Sequence, residues 1–87
     1  MRIIKHFVDG KTFEGSSKRT SKVFNPATGE ETSKVNLASK ADVDLTVEKA
    51  KKAFIDWSNR PPVIRARVLF KFKELIEKNS DELTKLI

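Results

Sequence analysis

The hydrophobic period of this chain changes once, at Ser39, and that change decides what class of fold it can form. Before Ser39 apolar and polar residues alternate, as in a half-covered strand; after it apolar residues recur every three or four positions, as on a helix. Ile4, His6 and Val8 alternate with Lys5 and Phe7 and predict one strand. Asp9-Gly10 follows, a pair suited to the positive φ angles of a type I′ hairpin turn, so Lys11-Thr12-Phe13-Glu14 is the returning strand. Gly15-Ser16-Ser17-Lys18-Arg19 is expected to be a flexible polar loop. Ser21 to Phe24 is a third strand. Asn25-Pro26-Ala27-Thr28-Gly29 is a turn, because Pro26 restricts φ and Gly29 permits φ to be positive. Thr32 to Leu37 is a fourth strand, with Ser33, Val35 and Leu37 on one face.

Ser39 is a good helix N-cap, and Asp42, three residues on, is an acidic capping-box partner. Val43, Val47, Ala50, Phe54 and Trp57 then form one apolar stripe. Asn59-Arg60-Pro61-Pro62 ends this helix, and the prolines suit the start of the next. Ile64, Val68, Leu69, Phe72, Leu75 and Ile76 are the second stripe. Asn79-Ser80 breaks it, Ser80 is expected to cap again, and Leu83, Leu86 and Ile87 begin a third. The predicted class is α+β: N-terminal β-hairpins followed by two to three amphipathic helices, with strands within about 3–37 and helices at about 40–58, 62–78 and from 81. The third stripe stops in mid-pattern, so the expectation is that the 87 residues are a segment of something larger.

Composition narrows the function classes. A chain of 87 residues allows one domain at most, and it is short for a robust core. It has no cysteine and a single histidine, His6, which excludes disulfides and a cysteine-based zinc site. Stability must come from packing, a partner, or further chain. No secretory h-region and no membrane-length apolar run is present, and the expected location is the cytoplasm. The net charge is +6, with eight basic and four acidic groups in residues 1–40 and ten and eight in 41–87. Such scattered charge is unlike a nucleic-acid patch.

The residues that could carry chemistry each have a simpler explanation. Gly10-Lys11-Thr12 resembles the end of a phosphate-binding loop, but position 5 is Lys5 where the first glycine is needed, and a hairpin turn explains the same residues. His6 has no evident second ligand or nucleophile and reads as structural. Arg60, Arg65 and Arg67 near a helix start could grip an anion; without exposed aromatics between them, a solvated helix face with internal ion pairs is the better explanation. Asp42, Asp44 and Asp56 sit where caps and surface pairs want them, with no environment that separates their pKa values. Trp57 and the six phenylalanines fill cores or contact surfaces.

One run identifies a likeness. Val23-Phe24-Asn25-Pro26-Ala27-Thr28-Gly29-Glu30 resembles the opening signature of the NAD-dependent aldehyde dehydrogenases. Asp42-Val43, Ala50 to Phe54 and Trp57 resemble that family's first helix, Arg65 to Phe72 its second, and Asp81-Glu82-Leu83 its third, in the family's order across nearly the whole chain. Val35-Asn36-Leu37-Ala38-Ser39 and Arg65 to Lys73 are similar to its CoA-acylating branch, which acts on malonate or methylmalonate semialdehyde. The resemblance implies that the chain is the N-terminal segment, residues 1–87, of a larger aldehyde dehydrogenase fold. The intact enzyme would bind NAD, form a thioester on a cysteine, pass the acyl group to CoA, and be a homo-oligomer. The segment itself would carry no catalytic, cofactor-binding or metal residues, would be inactive, and would have the remainder of the same polypeptide as its partner. The resemblance also places a backbone carbonyl at Val23 or Phe24 beside a monovalent cation, with the other ligands beyond residue 87.

Two other classes stay open on the residues alone: a small basic nucleic-acid module, and a protein-interaction module that docks through its helix stripes. The dispersed charge predicts weak, sequence-independent binding to duplex DNA or RNA at low salt, largely abolished near physiological ionic strength. A filter-binding or anisotropy titration showing sub-micromolar, sequence-dependent affinity at that salt would instead establish the nucleic-acid module.

Overall fold

The computed structural model describes all residues, 1–87. It comprises β1 (Arg2–Ile4), β2 (His6–Val8), β3 (Lys11–Phe13), β4 (Thr20–Phe24), β5 (Glu31–Asn36), α1 (Lys40–Asn59), α2 (Pro62–Lys78) and α3 (Ser80–Leu86). The class is α+β, with the strands first. Contacts divide the chain into two units, Met1–Ala53 and Phe54–Ile87, and the division falls inside α1.

The first unit holds both sheets. β5 is central in a three-stranded sheet of order β1-β5-β4, parallel to β1 and antiparallel to β4. β4 and β5 are joined by the Asn25–Gly29 turn, where the Asn25 carbonyl accepts from the amides of Thr28 and Gly29 at 3.3 and 2.7 Å. The ladder carries a bulge at Val23/Phe24. β2 and β3 form a separate hairpin with His6 opposite Phe13 and Val8 opposite Lys11. Its turn has φ of 55° at Asp9 and 77° at Gly10, the positive pair of a type I′ turn.

The first predicted strand is two. It breaks at Lys5, because β1 pairs with β5 while β2 pairs with β3. The alternation survives the break: Ile4, His6 and Val8 are half-buried while Ile3, Lys5 and Phe7 are exposed. Periodicity reported which side chains turn inward; it carried no information about which ladder each residue joins. On β5, Ser33 is buried and Val35 is half-buried; Leu37, also half-buried, lies one residue past the strand.

The second unit is helical. α2 begins at Pro62, and the Pro61 carbonyl accepts from the amides of Ile64 and Arg65 at 3.0 and 3.2 Å. α2 and α3 meet at Asn79, whose amide donates to the Leu75 and Ile76 carbonyls and whose side chain donates to the Leu75 carbonyl at 2.7 Å. Asn79, not Ser80, is the cap residue of α3, and it makes no side-chain cap bond. Its amide group is already committed backwards to α2, which leaves Ser80 as the first helical residue.

No hydrophobic residue in the chain is buried; the only buried residues are Ser33 and Asp42, at 8 % and 5 % exposure. The α1 stripe (Val43, Val47, Phe54, Trp57) and the α2 stripe (Val68, Leu69, Phe72, Leu75, Ile76) are exposed. The helical spacing is therefore present without the cover that such spacing normally meets.

Gly15 has φ of 84°, and a Cβ there would lie 2.8 Å from Asp42 Oδ2 and 3.0 Å from His6 Nε2. Gly15→Ala combines a disfavoured backbone with a clash, and should loosen the contact between this loop and α1 by about 1–3 kcal/mol. Faster hydrogen exchange at the Ser16 and Ser39 amides, with β4–β5 exchange unchanged, is the expected signature.

Candidate functional site

The one place where polar groups converge is the start of α1. Ser39 and Asp42 cap each other: the Ser39 amide donates to Asp42 Oδ2 at 2.9 Å and the Asp42 amide donates to Ser39 Oγ at 3.1 Å. This is the reciprocal capping box that the spacing predicts. The same carboxylate also takes the loop before β4. The Ser16 amide donates to its oxygens at 3.0 and 3.1 Å, and Ser16 Oγ donates to Oδ1 at 3.1 Å. Ser16 Oγ lies 2.7 Å from Ser39 Oγ. The segment expected to be a flexible loop is thus pinned at Ser16, because a buried carboxylate must be satisfied by more donors than its own helix supplies.

These donors hold Asp42 ionised. Chiefly through the Ser39 amide, against the opposing effect of burial and with help from the Ser16 amide and both serine hydroxyls, its pKa falls to about 2. Sequence reasoning found the Ser39 half of this arrangement and missed the Ser16 half, 26 residues away. It also missed the pKa shift, whose largest cause is the Ser39 amide and to which Ser16 adds. No local signal in the residues marks Ser16 as a partner of Asp42.

Beside this cluster a cleft of about 280 Å³ is lined by His6, Phe7, Phe13, Ala38, Val43 and Val47 among others. The His6 ring leans on Phe13 with centroids 5.6 Å apart. Its Nε2 is shielded from solvent and makes no hydrogen bond. His6 Nε2 and Asp42 Oδ2 both face the Gly15 backbone. They do not form a catalytic pair, since the carboxylate is committed to Ser16 and Ser39 and no nucleophile bonds to the imidazole.

The remaining candidates are dispersed. Gly10-Lys11-Thr12 is the hairpin turn and the start of β3, with Lys11 opposite Val8. Asp56 binds Arg60 at 3.0 Å, and this hydrogen bond with its charge attraction raises the Arg60 pKa. Arg65 Nε donates to the Arg60 carbonyl at 3.2 Å, and Asp44 pairs with Lys40 at 3.6 Å. The Val23 carbonyl accepts from Thr32 Oγ1 at 3.3 Å. No three His, Cys, Asp or Glu side chains come together. No helix is long and apolar enough to cross a membrane.

The order of these elements is that of a known family. The family model for aldehyde dehydrogenases matches residues 13–87, and the chain belongs to the aldehyde dehydrogenase family. It is 38% identical over 87 residues to malonate-semialdehyde dehydrogenase of Bacillus pumilus, covering 100% of this chain and 18% of that protein. It is 42% identical over 86 residues to malonate-semialdehyde dehydrogenase 2 of Bacillus cereus, covering 99% of this chain and 18% of that protein. A crystal structure assigned as methylmalonate-semialdehyde dehydrogenase from Sinorhizobium meliloti 1021, complexed with NAD, matches with a TM-score of 0.94 and 47% identity, over 98% of this chain and 17% of that one. Methylmalonate-semialdehyde dehydrogenase from Oceanimonas doudoroffii matches with a TM-score of 0.93 and 43% identity, over 99% of this chain and 17% of that one. The chain thus spans less than a fifth of the length of these relatives.

The residues present do not fit NAD. A dinucleotide pyrophosphate is held at a helix N-terminus after a glycine-rich strand-to-helix turn. The strand-to-helix junction here, between β5 and α1, is Leu37-Ala38-Ser39, without glycine. Its helix end is already filled by the Asp42 carboxylate, which repels phosphate.

Because its pKa is lowered from 3.8, Asp42 favours the folded arrangement above about pH 4, and that contribution is lost as pH falls from there towards 2. The Ser16 and Ser39 amides should lose protection across that window. Asp42→Asn, which puts an NH2 group among these donors, should show the loosened state at pH 7 and no acid step. An NMR pH titration of the two amides checks both.

Proposed function

We propose that the chain serves as the N-terminal segment of an NAD-dependent, CoA-acylating dehydrogenase of malonate or methylmalonate semialdehyde. The observation that carries this reading is the match along essentially the whole chain, at 38–47% identity, to proteins named for those two semialdehydes. The whole enzyme would oxidise the semialdehyde to an acyl-CoA through a cysteine thioester. This chain contains no cysteine, so the cysteine of that thioester would lie outside it, as would the NAD fold and the CoA site. The whole enzyme is proposed to be a cytoplasmic homo-oligomer; absence of cysteine accords with a reducing compartment.

The role left to these residues is structural. They would present the α1 and α2 stripes to the rest of the fold, and the Asp42 cluster would fix the angle at which α1 leaves β5.

Exchanging the matching segment of the Bacillus pumilus enzyme for these 87 residues tests the proposal. The chimera should reduce NAD with malonate or methylmalonate semialdehyde and CoA at a kcat/KM within about tenfold of the parent, or ~1.4 kcal/mol in barrier. The isolated chain should reduce none. A chimera that assembles like the parent yet turns over neither semialdehyde, or turnover by the purified isolated chain, would defeat the reading.

A further inference from the structure

The Asp9-Gly10 turn sets a side-chain carboxyl next to an open main-chain nitrogen. The Asp9 side chain is 56 % exposed, and Gly10 is exposed as well. The carboxyl carbon of an aspartate can close a ring onto the amide nitrogen of the next residue, and a side chain on that residue is the chief obstacle. Gly10 has none, and nothing lies within 4 Å of where its Cβ would be. No backbone hydrogen bond holds the Gly10 amide, as suits the second central residue of a type I′ turn.

Every other Asp or Asn in the chain is hindered. Asn25 precedes Pro26, which has no N–H. Asp42, Asp44, Asp56 and Asp81 lie within helices and precede the bulky Val43, Leu45, Trp57 and Glu82. The Leu37 amide, after Asn36, donates to the Arg19 carbonyl at 3.0 Å, and the Arg60 amide, after Asn59, donates to the Trp57 carbonyl at 3.2 Å. Asn79 is the nearest rival, since Ser80 is small, but its side-chain NH2 donates to the Leu75 carbonyl at 2.7 Å.

The hairpin supplies the freedom that ring closure needs. β2 and β3 have three residues each and pair only with each other. A two-stranded hairpin is marginal by itself, so the turn opens readily. The Lys49–Asp9 pair at 3.7 Å is solvent-exposed and restrains it little.

We propose that Asp9-Gly10 is a self-modification site, at which the main chain isomerises to an isoaspartyl linkage without an enzyme. The Gly10 nitrogen bonds to Asp9 Cγ, the C–OH bond of the protonated carboxyl breaks, and the hydroxyl leaves with the amide proton as water. The cyclic imide then takes up water. Breaking the bond from the Gly10 nitrogen to Cγ restores aspartate. Breaking its bond to the main-chain carbonyl carbon leaves the chain running through the side chain, with the former main-chain carbonyl now a free carboxylate. Water is the only co-reactant. The product has one extra methylene at the tightest point of the hairpin. The pairing of His6 with Phe13 and Val8 with Lys11 is set by the two-residue loop, and lengthening that loop breaks it. The site is set by the hairpin and holds whatever reaction the whole enzyme performs.

The test ages the whole 87-residue chain for weeks in warm neutral buffer. Isoaspartate is then read by an isoaspartyl methyltransferase with labelled S-adenosylmethionine, and located by peptide mapping. Label should accumulate at position 9 first, with no change in mass, and the aged fraction should show faster hydrogen exchange in β2 and β3. Gly10→Asn tolerates positive φ while adding a Cβ, and should slow the reaction about tenfold. Asp9→Asn keeps a preferred turn pair and loses ammonia in place of water, so it should reach the same product faster. Three results would each overturn the proposal: isoaspartate arising first at Asn79 or elsewhere, an unchanged rate in Gly10→Asn, or none in the chain while a free peptide of residues 7–13 accumulates it.

Discussion

The Asp42 carboxylate is the constraint on which the first unit depends. One side chain caps its own helix through Ser39 and captures a loop 26 residues upstream through Ser16. Charge-assisted bonds of this kind are stronger than neutral ones, and here they converge on a buried group that cannot be left short of donors. Gly15 is part of the same solution, because only a residue without Cβ passes between Asp42 and His6. The cluster ties the segment between β3 and β4 to the exit of β5 into α1. Surface pairs such as Lys5–Glu14 at 3.0 Å and Lys49–Asp9 at 3.7 Å add little beside it.

A fold held this way differs from one held by an apolar core. The two buried residues are polar, and most large apolar side chains of both long helices are exposed. Local hydrogen bonding is sufficient to define strands, caps and turns, but it does not discharge the hydrophobic surface that the helical spacing provides. The relatives it matches in the aldehyde dehydrogenase family are more than five times longer than this chain. The 87 residues hold no cysteine and no glycine at the β5–α1 junction, and both long helices carry exposed apolar side chains.

Much of this was legible in the residues. The switch of period at Ser39, the capping box, Asp9-Gly10 and the Asn25-Pro26 turn are local signals, and each depends on neighbours within a few positions. The break at Lys5 was not legible, because alternation reports which side chains turn inward and is silent about ladder partners. Nor was the parallel pairing of β1 with β5, which joins residues about thirty positions apart. Ser16 was read as loop for the same reason: a serine between Gly15 and Ser17 has no local mark of the carboxylate that claims it. The displaced cap at Asn79 shows the opposite limit, where one side chain serves the helix behind it and a purely forward reading assigns the cap one residue late.

Hydrogen exchange on these 87 residues, free and joined to the rest of the Bacillus pumilus enzyme, bears most directly on the division between a polar staple and an uncovered apolar face. The Ser16 and Ser39 amides should be protected to the same degree, within about fivefold, in both forms, while the amides of 69–76 in α2 gain about 100-fold or more on joining. Amides of α2 equally protected in the free chain and the joined protein would contradict it, since the stripe would then need no cover from the rest of the fold.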